Sequence, residues 1–112
     1  MDIELATNAL KALSHETRLR IFRCLVQAGP GGLCVADLAA NLGTEANGSF
    51  SFHLKELSHA GLIRSRQDGR FIYYSADYPA MNDLLGDLTE HCCAGKGCGE
   101  KTHQCATTEN YA

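Results

Sequence analysis

The chain has 112 residues, 45% of them hydrophobic, and a formal charge of −3 at pH 7. That is material for one compact core, and no apolar run approaches the ~20 residues a membrane span needs, so no membrane partner is expected. The N-terminal MDIELATNALKAL is acidic and amphipathic, unlike a secretory leader. A cytoplasmic location is therefore expected, where six cysteines read as ligands or redox groups rather than a disulfide framework.

Ile3, Leu5, Ala9, Leu10 and Leu13 predict a first amphipathic helix. Ser14 is the expected N-cap of a second, with Leu19, Phe22, Leu25 and Val26 as its apolar stripe, stopping at AGPGG (28–32). A short third helix is predicted from Cys34 to Leu42, ended by Gly43. A fourth runs from Ala46 to Ala60, with Phe50, Leu54 and Leu57 at i, i+4 and i+7. LIRSRQDGRFIYYSA (62–76) alternates and predicts a hairpin turning at Asp68-Gly69. A last helix is expected from Tyr78 to about Cys92, with Met81, Leu84, Leu85 and Leu88 apolar.

This order is that of a mainly α fold with a β-hairpin wing, a winged helix-turn-helix: one short helix crosses the DNA backbone and the next enters the major groove. Charge distribution agrees. Residues 49–75 carry Lys55, Arg64, Arg66 and Arg70 against Glu56 and Asp68, a basic middle between acidic ends. Residues 1–92 are expected to form the DNA-binding and dimerisation domain. Residues 93–112 would be a flexible, Cys-rich tail.

ALSHETRLRIFRCL (12–25), VADLAANLG (35–43) and SFHLKELSHAGLIRSRQDGRFIYYSA (51–76), followed by the terminal helix, resemble the ArsR/SmtB family of metal-responsive repressors over roughly residues 5–92. The resemblance implies a homodimer built largely from the first and last helices, bound to an inverted-repeat operator in double-stranded DNA and released by metal. Two reading helices would then lie about one helical turn, ~34 Å, apart. Ser49, Ser51 and His53 are the candidates for hydrogen bonds to bases or phosphates, and Lys55, Arg66 and Arg70 for phosphate contacts. His59 reads as a partner of a neighbouring helix. Two departures stand out: Phe52 occupies a position where many relatives carry Arg or Gln, and Gly48 weakens the helix start by up to ~1 kcal/mol.

The effector is sought among the thiols. A known arsenic-sensing pattern, CVCDL, appears here as CVADL (34–38), with Ala36 in place of the second thiol, so a three-thiol site at Cys34 is broken. Cys24 reads as a small buried residue. MNDLLGDLTEHCC followed by a further Cys resembles another arsenic-responsive branch of the family, which implies Cys92, Cys93 and Cys98 as ligands, with Cys105 as a substitute third. The chemistry suits trivalent arsenic or antimony as inducer, since both are soft and prefer three thiolates in a pyramid. No permanent cofactor is called for.

Zinc or cadmium is the rival ion, with Cys92, Cys93, Cys98 and either His103 or Cys105 completing a tetrahedron. A redox sensor through a Cys93–Cys98 or Cys98–Cys105 disulfide is also open, whereas a Cys92–Cys93 bridge would be strained across ~3.8 Å of adjacent Cα atoms. An enzyme is not expected. The vicinal cysteines close a helix C-terminus, where the dipole opposes a nucleophilic thiolate.

Overall fold

The computed structural model describes residues 1–95. In chain order it contains α1 (Ile3–Leu13), α2 (Glu16–Ala28), β1 (Leu33–Cys34), α3 (Val35–Asn41), α4 (Gly48–His59), β2 (Ile63–Asp68), β3 (Phe71–Ala76) and α5 (Tyr78–Thr89), followed by a short 3-10 turn at Cys92–Gly95. The predicted winged helix-turn-helix is present, with each helix within a few residues of its expected bounds.

α1 starts where Asp2 accepts from the Leu5 backbone N–H at 2.8 Å. Its inner face is Ala6, Ala9 and Ala12, all buried. Of the large apolar residues in the expected stripe, only Leu13 packs against the core. Ile3 is 83% exposed, and Leu5 and Leu10 are also on the surface. Small residues at i, i+3 and i+6 let α1 approach its neighbours closely, which turns the bulky side chains outward. On α5 the same division leaves Leu84 buried, while Leu85 and Leu88 are exposed.

Ser14 is the last residue cap of α1, not the N-cap of α2; its hydroxyl donates to Lys11 O. The N-cap of α2 is His15, whose Nδ1 accepts from Thr17 N–H at 3.2 Å. Ile21, Phe22 and Leu25 of α2 join Leu38 of α3, and Phe50, Leu54 and Leu57 of α4, in one core. α4 begins at Gly48 rather than Ala46, because Asn47 caps it by accepting from Phe50 N–H at 3.0 Å.

The sheet has the order β1-β3-β2, antiparallel throughout. β1 was not foreseen; it pairs Leu33 with Tyr74 and Cys34 with Tyr73, so Cys34 belongs to the sheet edge and caps α3 instead of opening it. β2 and β3 pair from Ile63–Ala76 to Asp68–Phe71. The two-residue loop is consequently Gly69-Arg70, one position later than predicted, with Gly69 at φ 65° as a type II′ turn requires. The sheet base is closed by Asp77 N–H donating to Leu62 O at 2.8 Å. α5 is capped by the Asp77 carboxylate, and its first residue, Tyr78, donates its hydroxyl to Val26 O and Leu25 O at the end of α2 (3.0 and 3.3 Å). α5 ends at Thr89, three residues short of the expected Cys92.

Candidate nucleic-acid interface and thiol pair

α4 is held to the core by Phe50, Leu54 and Leu57, each no more than 3% exposed. That spacing leaves Ser49, Ser51, Phe52 and Lys55 on the outward side, all exposed. His53 is half-buried and turns toward α2. Arg18 Nε–H donates to His53 Nδ1 at 3.3 Å, and the His15 and His53 rings lie 4.5 Å apart at 45°. The Arg18 guanidinium also sits over Phe52, 5.9 Å from its ring centre. Burial, then the nearby His15 and Arg18 charges, pull the pKa of His53 below the ordinary histidine value. His59 is exposed and lines a cleft between α1 and α4 with Asn8, Lys11 and Glu56.

The basic residues of the wing divide into tied and untied. Arg64 pairs with Asp77 at 3.3 Å. Arg66 donates to Gly31 O at 3.0 Å, lies 3.6 Å from the Asp68 carboxylate and stacks over Tyr73 at 4.7 Å. It braces the 28–32 loop against the wing. Arg70 is exposed at the wing tip beside Phe71, itself 59% exposed. Among the described residues, neither Lys55 nor Arg70 forms an ion pair. The roles of His15, Arg18 and Gly31 were not legible in the sequence; the one signal was a histidine standing at the N-cap of the ETRLR helix.

The thiols are separated by the fold. Cys24 is half-buried on α2 and lines an open cleft of about 520 Å³ with Leu19, Arg23 and Leu42. Cys34 lies at the sheet edge. Cys92 and Cys93 follow the end of α5, with Sγ atoms 3.6 Å apart. The backbone there is left-handed at His91, Cys93 and Ala94, with φ of 57°, 57° and 52°. In a helix adjacent side chains diverge by ~100°; departure from the helix brings these two together. One ion bonded to two sulfurs at ~2.3 Å, at angles of roughly 100–110°, spans S···S of about 3.5–3.8 Å. The pair has that spacing. Cys98 and Cys105 lie outside the described residues. Among the described residues no three His, Cys, Asp or Glu side chains converge as a metal site, and no helix is long and apolar enough to cross a membrane.

Comparison with known proteins agrees with the architecture. A helix-turn-helix domain family matches residues 13–66. The arsenical resistance operon repressor of Bacillus subtilis is 36% identical over 90 residues, covering 80% of this chain and 81% of that protein. A cadmium resistance transcriptional regulatory protein homologue from Staphylococcus aureus is 39% identical over 75 residues, covering 67% of this chain and 60% of its own length. Among solved structures, an ArsR-like transcriptional regulator from Rhodococcus superposes with a TM-score of 0.67 at 28% identity, covering 76% of each chain. These relatives are DNA-binding regulators and not enzymes. With its three-stranded wing, its helix-turn-helix and its extended identity to the arsenical repressor, the chain belongs to the ArsR/SmtB family of transcriptional repressors.

Proposed function

We propose that the protein is a repressor of an arsenic-resistance operon that leaves its operator when trivalent arsenic or antimony binds thiolates following α5. The observation that carries this reading is the Cys92–Cys93 pair, with sulfurs 3.6 Å apart just beyond α5. The third ligand is assigned to Cys98, with Cys105 as its substitute. Three thiolates suit a soft pyramidal ion. The likeness to the B. subtilis arsenical repressor supports the same effector.

DNA contact is assigned to Ser49, Ser51 and His53 on α4, with Lys55 and Arg70 facing phosphates of an inverted-repeat operator and Arg66, braced against Gly31 O, adding its charge to that surface. The functional unit is a homodimer. Ile3, Leu10 and Leu88 line a shared cleft between α1 and α5, and with exposed Leu5 and Leu85 they form an apolar face suited to a second copy. A reducing cytoplasm is the setting in which such thiols stay available.

The likeness to the cadmium regulator favours a second reading, in which zinc or cadmium is the effector, with His103 or Cys105 as a fourth ligand. Anaerobic titration with arsenite, antimonite, zinc and cadmium, following thiolate absorbance and DNA binding together, separates the two. Release by arsenite at stoichiometric thiolate loss is expected. Release by cadmium or zinc but not by arsenite would give the site to the divalent ion.

A further inference from the structure

The recognition helix carries one side chain whose orientation is set by another element. His53 Nδ1 accepts from Arg18 Nε–H at 3.3 Å, so the proton of the ring resides on Nε2. His15 is fixed in the same manner, since its Nδ1 is occupied by Thr17 N–H at the start of α2. Its ring lies against that of His53, centroids 4.5 Å apart and tilted at 45°. The Arg18 guanidinium also lies over the Phe52 ring, 5.9 Å from its centre.

A charged His53 would face the Arg18 guanidinium at hydrogen-bond distance and lose its acceptor, so the uncharged ring is the one this pocket holds. Among the described residues, Nε2 of His53 has no hydrogen-bond partner. The Nε2–H is thereby left without a protein acceptor at a partly exposed position on α4.

We propose that Arg18 and His15 are positioning residues for DNA recognition: they hold His53 as a neutral ring whose Nε2–H donates to an acceptor atom of the duplex. This rests on α4 being the reading helix. The acceptor is a phosphate oxygen or a base-edge atom such as purine N7, and both present the same lone-pair chemistry to an N–H. The arrangement couples the start of α2 to the DNA contact without His15 or Arg18 touching the duplex. It also accounts for Phe52: its ring is the platform on which Arg18 lies, not a reader.

The test uses the full-length protein and a duplex that the wild type selects from a random-sequence library. Arg18→Met removes the donor and keeps the alkyl stem; His53→Gln supplies an Nε2 donor that does not need Arg18. Arg18→Met is expected to weaken binding about fivefold or more per half-site in the wild-type background. In the His53→Gln background it should change affinity by less than about twofold, the mark of two residues acting through one contact. An equal loss in both backgrounds would mean that Arg18 acts independently of His53 and would overturn the proposal.

Imidazole nitrogen NMR of the free wild-type protein decides the matter even if Arg18→Met does not fold. His53 should show a protonated Nε2 and a hydrogen-bonded Nδ1; a protonated Nδ1 refutes the arrangement. The source of the acceptor follows from His53→Ala. Loss confined to the selected duplex identifies a base edge, and equal loss on an unrelated duplex identifies phosphate. If the wild-type protein selects no duplex while the NMR tautomer is as stated, the DNA-reading role of α4 fails and the α2–α4 geometry stands.

Discussion

Gly32 presses its backbone against the carbonyl of Tyr74, at a φ of +75°, where a β-carbon would collide with that oxygen. The contact lies beside the Leu33–Tyr74 pairing that joins the 28–32 loop to the wing. Gly32→Ala is therefore expected to destabilise the fold by ~2 kcal/mol or more, through both the positive φ and the clash with main chain. Gly31 has open space around it, so Gly31→Ala should change stability by less than about 0.5 kcal/mol. Denaturant unfolding of the two variants, one residue apart, measures the contrast.

Arg66 and Arg70 are two arginines of one wing with different surroundings. Arg66 is committed to Gly31 O and Tyr73, whereas Arg70 stands exposed at the tip. Arg66→Met is expected to lower stability by about 1 kcal/mol, discounted for its partial exposure. Arg70→Ala should leave stability unchanged and reduce the slope of log affinity against log salt by about 1 per wing. An unchanged salt slope in Arg70→Ala would remove that residue from the phosphate contacts.

The thiols are predicted to separate cleanly by function. Cys92→Ser and Cys93→Ser should each raise the arsenite concentration needed for release by more than about tenfold, the equivalent of ~1.4 kcal/mol, with DNA affinity in the absence of arsenite kept. Cys24→Ser should leave release unchanged. Comparing Cys98→Ser with Cys105→Ser identifies the third sulfur. Arsenite titration of each variant on labelled duplex gives the order directly.

Stability should depend on pH through His53. Its pKa in the folded chain is depressed by burial, His15 and Arg18, so near pH 6.5 the unfolded chain binds the proton more readily. The contribution is fully present above ~6.5, the unfolded value, and is lost as pH falls through the lower folded value. Thermal melts of wild type and His53→Gln between pH 7.5 and 5 check this. The wild type should lose more stability over that interval, and parallel curves would contradict the assignment.

Where large apolar residues repeat at helical spacing, the sequence was readable: Phe50, Leu54 and Leu57 are buried as the pattern requires. The basic hairpin and the order of helices were equally legible. α1 is present as expected, but its inner face is only partly legible, because alanine carries little weight in such a pattern and Ala6 and Ala12 join Ala9 in making it. The hairpin loop shifted by one because Asp68 pairs with Phe71 and leaves Gly69-Arg70 to turn. β1 is two residues long and exists only by pairing with β3, a long-range contact that no local propensity signals. The His15–Arg18–His53 arrangement is of the same kind, joining positions 35 residues apart. Of the thiol site, the vicinal pair was legible as a pair, and its convergence depends on left-handed backbone at His91 and Cys93 that residue type alone does not demand.

The Tyr78 hydroxyl, bonded to the Leu25 and Val26 carbonyls in the last turn of α2, makes the start of α5 a fixed pivot. α5 is then a rod of 12 residues, ~18 Å long, anchored at one end and carrying Cys92 and Cys93 just past the other. Leverage follows from that geometry. A tilt of roughly 10° about Tyr78 moves the far end by about 3 Å against α1, where the Met1 amino group lies 3.8 Å from the Asp87 carboxylate. Torque applied at the thiols would thus be delivered to α2, near whose opposite end Arg18 meets His53 of α4.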